Sequence, residues 1–250
     1  MVKAVIFDMG GTLEDVIHTD EYKVPCGEKI LAYLKKNDIS IPMSAGDFMD
    51  KLSAKNKEYR KWGLETRREI SPYELWSQWY MDGFSYNDAR LRVIAENLAD
   101  IWERTYYHRE LRPDAKPMLQ GLKDQGIRMG VISNTASQTQ VIEILHEYNI
   151  RHYFDSVYLS SLSGFRKPHP ELFYAASASL DVKPGESIYV GDTISRDVRG
   201  ARGAGYFAVI RINSHLTALS DAMTKIEEDD ADYVIGNLQE IVGIVKKINA

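Results

Sequence analysis

The chain has a single cysteine, Cys26, among its 250 residues. No intramolecular disulfide can form, so packing alone must hold the fold. A reducing, cytoplasmic setting is expected. Uninterrupted apolar stretches are also short. None reaches the roughly 18 residues that cross a bilayer. The apolar run after Met1-Val2-Lys3 is shorter than that of a signal peptide. No membrane partner is expected. Basic excess is missing too: Lys and Arg number 31 against 36 Asp and Glu, for a net charge of −5 and a pI near 5.7. A general nucleic-acid binder would carry the opposite balance. What is present is ordinary globular composition, 44% hydrophobic and 27% charged. The length suits one or two domains.

Short apolar runs recur at residues 2–8, 127–133, 187–192, 206–210 and 231–235. Continuous runs of this length predict strands buried on both faces, as in a parallel sheet. Helical patterns separate them at 114–125, 138–148, 170–180 and 237–248. Alternating strand and helix predicts a doubly wound, Rossmann-like α/β core with right-handed crossovers. Residues 19–107 break the rhythm. They read as helical at 27–36, 44–62, 71–84 and 86–107 and hold all four tryptophans, Trp62, Trp76, Trp79 and Trp102. The division expected is a core of 1–18 plus 108–250 and an inserted all-helical lid of 19–107. The acidic run 227–230 is expected to be a solvated loop or helix end.

In an open α/β sheet, ligands collect beyond the carboxyl ends of the strands. Those ends carry Asp8, Ser133 and Asp192, and the loops after them carry Thr12, Asn134, Thr135 and Asp197. Lys167 lies between a strand and a helix. Clustered carboxylates repel one another, so a hard, oxygen-seeking cation is implied, with Mg2+ the natural choice. Hydroxyl, amide and lysine donors beside such a cation suit a phosphate group. An Asp in that setting can act as a nucleophile.

Four motifs, in order, are "FDMGGTL" at 7–13, "SNT" at 133–135, Lys167 in "RKPHP" and "GDTISRD" at 191–197. With them the chain resembles the haloacid dehalogenase superfamily of hydrolases, of the kind with a C1-type helical cap. The resemblance implies that Asp8 is the nucleophile and a Mg2+ ligand. It implies further ligands in Asp192, Asp197 and the Gly10 carbonyl. Ser133 and Asn134 would bind the phosphoryl oxygens. Lys167 would neutralise charge shared by Asp8 and the phosphate. Thr12 would tie the turn beside the phosphate site.

The implied activity is phosphatase action on a small phosphorylated metabolite through an aspartyl-phosphate, by a monomer or homodimer. One position departs from the family pattern. Its phosphatases carry a second Asp, the acid/base, where this chain has Gly10. General acid–base catalysis contributes roughly 10²–10⁴-fold. Glu14 and Asp15 are close enough in sequence to replace it. The departure leaves open a slow-turnover phospho-aspartate switch, or a relative that cleaves C–P or C–halogen bonds.

Overall fold

The computed structural model describes residues 1–17, 19–214, 217, 221 and 231–250; the acidic run 227–230 lies outside them. Its centre is a six-stranded parallel sheet. The strands are β1 (Ala4–Phe7), β4 (Arg128–Ser133), β5 (Ser156–Leu159), β6 (Ser187–Gly191), β7 (Ala208–Ile212) and β8 (Tyr233–Ile235). The order is β5-β4-β1-β6-β7-β8, so the winding reverses about β1. That reversal opens a crevice at the strands' carboxyl edge.

Side chains explain why β1 is central. Val5 and Phe7 pack into one apolar cluster, whereas Ala4 and Ile6 pack into another. Helices α5 (Ala115–Asp124) and α6 (Gln140–Glu147) cover the first face with Met118, Leu119, Leu122, Val141 and Leu145. Helices α7 (Pro170–Ser179) and α8 (Arg199–Gly203) cover the second with Leu172, Phe173 and Ala201. With both faces buried, the strands read as continuous apolar runs.

All five expected strands are present, although β7 and β8 each begin two residues later than the runs suggest. Three strands were not expected. β5 reads Ser-Val-Tyr-Leu and lies at the sheet edge, where half-buried side chains blur the pattern. The other two, β2 (Glu14–Ile17) and β3 (His108–Leu111), form a separate antiparallel pair. The inward-facing residues of β2 are Glu14 and Val16, so it shows no apolar alternation.

The β2–β3 pair is where the chain leaves the core and returns. Between them lie helices α1 (Lys23–Lys36), α2 (Ala45–Thr66), α3 (Pro72–Leu75) and α4 (Asp88–Thr105). The helix expected over 71–84 is instead α3 followed by a π-helical segment, Trp76–Tyr80. Ser71 and Glu74 form a reciprocal capping box that starts α3. These helices share their own apolar cluster, including Ile30, Phe48, Leu52, Trp76, Leu98 and Trp102.

The join between insertion and core is polar. The Glu96 carboxylate on α4 accepts from the backbone N–H groups of Gln138 and Thr139, all three bonds at 3.0 Å. Arg104 of α4 pairs with Glu143 and Glu147 of α6. Residues 67–69 hydrogen-bond across to 164–166.

Ile6 is fully buried in the central strand. Ile6→Ala should therefore destabilise the protein by about 2–5 kcal/mol. Phe207→Ala, at a half-exposed ring, should cost far less. Urea melts of the two variants check the contrast.

Candidate active site

Asp8 follows the last residue of β1 and is 6% exposed. Its Oδ1 accepts from Lys167 Nζ at 2.5 Å, and Thr12 Oγ1 lies 3.5 Å from its Oδ2. The same lysine donates to Asp197 Oδ1 at 2.7 Å and lies 3.1 Å from the Tyr189 hydroxyl. Lys167, only 3% exposed, is thus held by two carboxylates and a phenol. Asn134 fixes the loop behind it: its Oδ1 accepts from the Lys167 N–H at 2.9 Å and its Nδ2 donates to the Lys167 carbonyl at 3.2 Å. The Asn134 side chain thus places the lysine while Asn134 also lines the cavity, where a phosphoryl group is expected.

Asp192 follows the last residue of β6 and is completely buried. Neither of its carboxylate oxygens has a hydrogen-bond partner. Asp8, Asp192 and Asp197 can bring one oxygen each within 4.8 Å of one another. Two glycines make this packing feasible. Gly11 has φ +89°, and a Cβ there would lie 2.4 Å from Asp192 Oδ2. A Cβ on Gly191 would lie 2.4 Å from the Asp197 Cβ.

Burial pushes the Asp8 carboxyl above its ordinary range, against the pull of Lys167. Burial, with the charges of Asp8 and Asp197 added, lifts Asp192 to about 8. Asp197 is also desolvated, but Lys167 and Arg196 outweigh that and hold it below the ordinary value. Lys167 is raised, because Asp197 and Asp8 overcome its own desolvation. Three buried carboxylates therefore share one ammonium, and two of them resist ionisation. Asp192 supplies two unbonded oxygens at the point of deficit. This donor set fits a hard divalent cation. Asp197 is the most engaged of the three: its Oδ1 also accepts from Tyr189 and its Oδ2 from the Thr193 N–H and hydroxyl.

A cavity of about 370 Å3 opens above these groups. From the core it is lined by Asp8, Gly10, Ser133, Asn134 and Lys167, and from the insertion by Asn56, Tyr59, Arg60, Trp102 and Tyr107. Asp192, Asp197 and Thr12 stand behind the first of these groups rather than on the wall. The two suggested replacements for the missing acid part company. Asp15 turns outward toward Arg112 with its side chain 44% exposed. Glu14 turns inward, fully buried, and pairs with Arg109 at 2.5 Å. Burial lifts the Glu14 carboxyl despite Arg109.

Several residues of this site carry no motif. Tyr189 alternates inward from β6, a parity that the run "SIYVGD" contains once its strand register is known. Arg109 and Glu103 reach the cavity from either side of the return into β3. Gln140 lines the cavity with neither end of its buried amide bonded. Cys26 is buried in the helical insertion, with its thiol pushed up to about 12, and takes no part.

An acid cluster at the switch point of a doubly wound sheet, facing a cavity walled by a helical insertion, marks a doubly wound α/β protein equipped to hold a cation beside an anionic ligand. The profile of the haloacid dehalogenase-like hydrolases matches residues 2–205. The chain belongs to that family. It is 25% identical over 251 residues to a glyceraldehyde 3-phosphate phosphatase of Methanopyrus kandleri, covering 99% of each chain. Two solved structures share the fold. One is CbbY of Rhodobacter sphaeroides in complex with phosphate, at 21% identity, TM-score 0.63 and 96% of both chains. The other is a 2-haloacid dehalogenase of Pseudomonas syringae pv. Tomato, at 19% identity, TM-score 0.66 and 99% and 100% of the two chains.

The raised Asp192 carboxyl leads to a prediction. Between its ordinary 3.8 and about 8 the folded chain holds a proton that the unfolded chain releases. Without metal, stability should therefore fall as pH rises across that interval and level off above it. Millimolar Mg2+ should raise the melting temperature more at pH 8 than at pH 6. Asp192→Asn should stabilise the metal-free protein at pH 8 and remove most of the Mg2+ effect. Calorimetry at the two pH values is the check, and an Mg2+ effect unchanged in the variant would exclude Asp192 as a ligand.

Proposed function

We propose that this hydrolase is a Mg2+-dependent phosphatase acting on a small phosphorylated metabolite through an aspartyl-phosphate on Asp8. The observation that carries the reading is the pairing of Asp8 with Lys167 on the cavity wall, backed by the two unbonded oxygens of Asp192. The Asp8 carboxylate attacks phosphorus, and the bond to the leaving oxygen breaks. Lys167 spreads its charge over Asp8 and the incoming phosphoryl group. Ser133 and the backbone around Asn134 receive the phosphoryl oxygens, while Thr12 keeps Asp8 aimed. Asp8, Asp192, Asp197 and the Gly10 carbonyl would hold the Mg2+. When bound, the cation supplies the positive charge that lets Asp8 ionise and the phosphate approach it. Water then clears the acyl phosphate and regenerates Asp8.

The substrate class follows from size and from relatives. The cavity lies within the roughly 300–1,000 Å3 common for small-molecule sites. Curated relatives are named for glyceraldehyde 3-phosphate and, in Rattus norvegicus, for N-acylneuraminate 9-phosphate. A phosphorylated sugar or sugar-derived acid is the class we assign. Residues 19–107 act as the lid that closes over it and bring Asn56, Tyr59, Arg60 and Tyr107 to the distal end. C–halogen cleavage uses no cation and would leave the Asp192 oxygens without purpose.

A screen of sugar phosphates with and without Mg2+ should find Mg2+-dependent release of phosphate. Asp8→Asn should abolish it while leaving the fold intact by circular dichroism. Turnover within tenfold of the native chain would refute the nucleophile. A long-lived adduct of one phosphoryl group, seen by intact mass after acetyl phosphate and Mg2+, would favour the phospho-switch, since Gly10 offers no acid/base group.

A further inference from the structure

The place of the missing side chain is filled. A Cβ built on Gly10 would meet Arg109 Nη1 at 3.3 Å, Val16 Cγ2 at 3.4 Å and Glu14 Oε1 at 3.7 Å. A carboxylate at position 10 and the Arg109 guanidinium would thus compete for one space. Arg109 comes from β3, opposite Val16 in the antiparallel pair. It is held on three sides. Its Nη1 donates to Glu14 Oε1 at 2.5 Å, its Nη2 to Glu103 Oε2 at 2.7 Å and its Nε to the Glu103 carbonyl at 3.3 Å. Glu14 is itself braced by the Tyr148 hydroxyl at 3.1 Å.

Arg109 lines the cavity together with Gly10 and Asp8, while Glu14 lies behind it, away from the wall. A guanidinium carries five N–H donors. Three are spent on the glutamates' groups, so one on each Nη has no partner among the described residues. Two glutamates already balance the charge. What Arg109 offers a ligand is therefore two directed, charge-assisted N–H donors rather than a bare field. A guanidinium does not deprotonate in a protein, so it cannot act as an acid.

Resting on the phosphatase reading above, we infer that Arg109 replaces the acid/base side chain absent at Gly10 and receives the leaving oxygen as an anion. As the Asp8 Oδ–P bond forms, the P–O bond to the leaving group breaks and its electron pair stays on oxygen. Arg109 hydrogen-bonds that oxyanion, and its proton comes from solvent after departure. Glu14 and Glu103 are positioning residues that aim the guanidinium. The substrates favoured are phosphates whose leaving groups are stable as anions: acyl phosphates, with conjugate acids near pKa 4, and enol or phenol-like phosphates, near 10. The phosphorylated sugars assigned above release alkoxides nearer the 15.7 of water, so they should turn over more slowly than acyl and aryl phosphates, and fastest where the departing oxygen is the most acidic, as at an anomeric carbon.

The test is kcat/KM with Mg2+ for acetyl phosphate and a graded series of aryl phosphates. The native chain should show a steep fall as leaving-group pKa rises. Losing a preorganised donor to a developing oxyanion costs roughly 10²–10³-fold. Arg109→Gln should approach that loss on phenyl phosphate yet lose less than about fivefold on acetyl phosphate, where little charge needs help. Arg109→Lys, which keeps one donor and the charge, should recover part of the phenyl phosphate rate. Equal losses on every substrate would assign Arg109 to structure and overturn the inference. So would a flat dependence in the native chain that becomes steep in Glu14→Gln, because Glu14 would then be the acid; the phosphatase reading would survive both results. No turnover of any phosphate, with Asp8 left unmodified by acetyl phosphate, would overturn that reading and this inference together.

Discussion

One buried ammonium governs the site. Lys167 reaches two carboxylates, Asp8 at 2.5 Å and Asp197 at 2.7 Å, where water is excluded. Desolvating such charges is expensive, and removing one partner from a buried pair costs on the order of 3–5 kcal/mol. The surroundings are accordingly rigid. Asn134 grips the lysine's backbone from both ends, and Tyr189 bonds both the ammonium and Asp197. Even so, the ammonium and the Arg196 guanidinium are fewer than the three acids. The residue left over is Asp192, and its orphaned oxygens record the imbalance. That imbalance is what suits the cluster to a hard divalent cation.

The strand-end acids were legible because the sheet was legible. Continuous apolar runs marked β1, β4 and β6, and whatever closes such a run lies at the carboxyl edge. Asp8, Ser133 and Asp192 follow from that alone. Lys167 is different. Its loop has no periodic signal, and only the ordered motifs of the family pointed to it. Asp197 was assigned beside Asp192, yet its oxygens are largely engaged by Lys167, Tyr189 and Thr193. The side-chain bonds of Asn134 are equally invisible in "SNT".

The least legible region is the one that decides how leaving groups are treated. Glu14 and Asp15 are adjacent acids, and a strand sends neighbours to opposite faces. Nothing in "TLEDVI" reveals which is inward, because β2 buries a charge instead of an apolar side chain. Its partner Arg109 lies on the far side of the whole insertion. A contact of that span leaves no local pattern, and it is found only when β2 and β3 are seen to pair.

The seam between insertion and core has a mechanical consequence. It is made of carboxylates, guanidinium groups and backbone N–H groups, each of which water can satisfy when the parts separate. The buried members of the apolar cluster of α1–α4 all come from the insertion, and among the described residues of the core only Ala136 packs against it. Separating the parts would therefore expose mainly polar groups, and the β2–β3 ribbon is where the chain crosses between them. Arg109 sits on that ribbon, so the joint between insertion and core and the proposed receiver of the leaving oxygen are one element. Its guanidinium is bonded on one side to Glu14 of the ribbon and on the other to Glu103 of α4, so a single side chain ties the joint between insertion and core to the wall of the cavity.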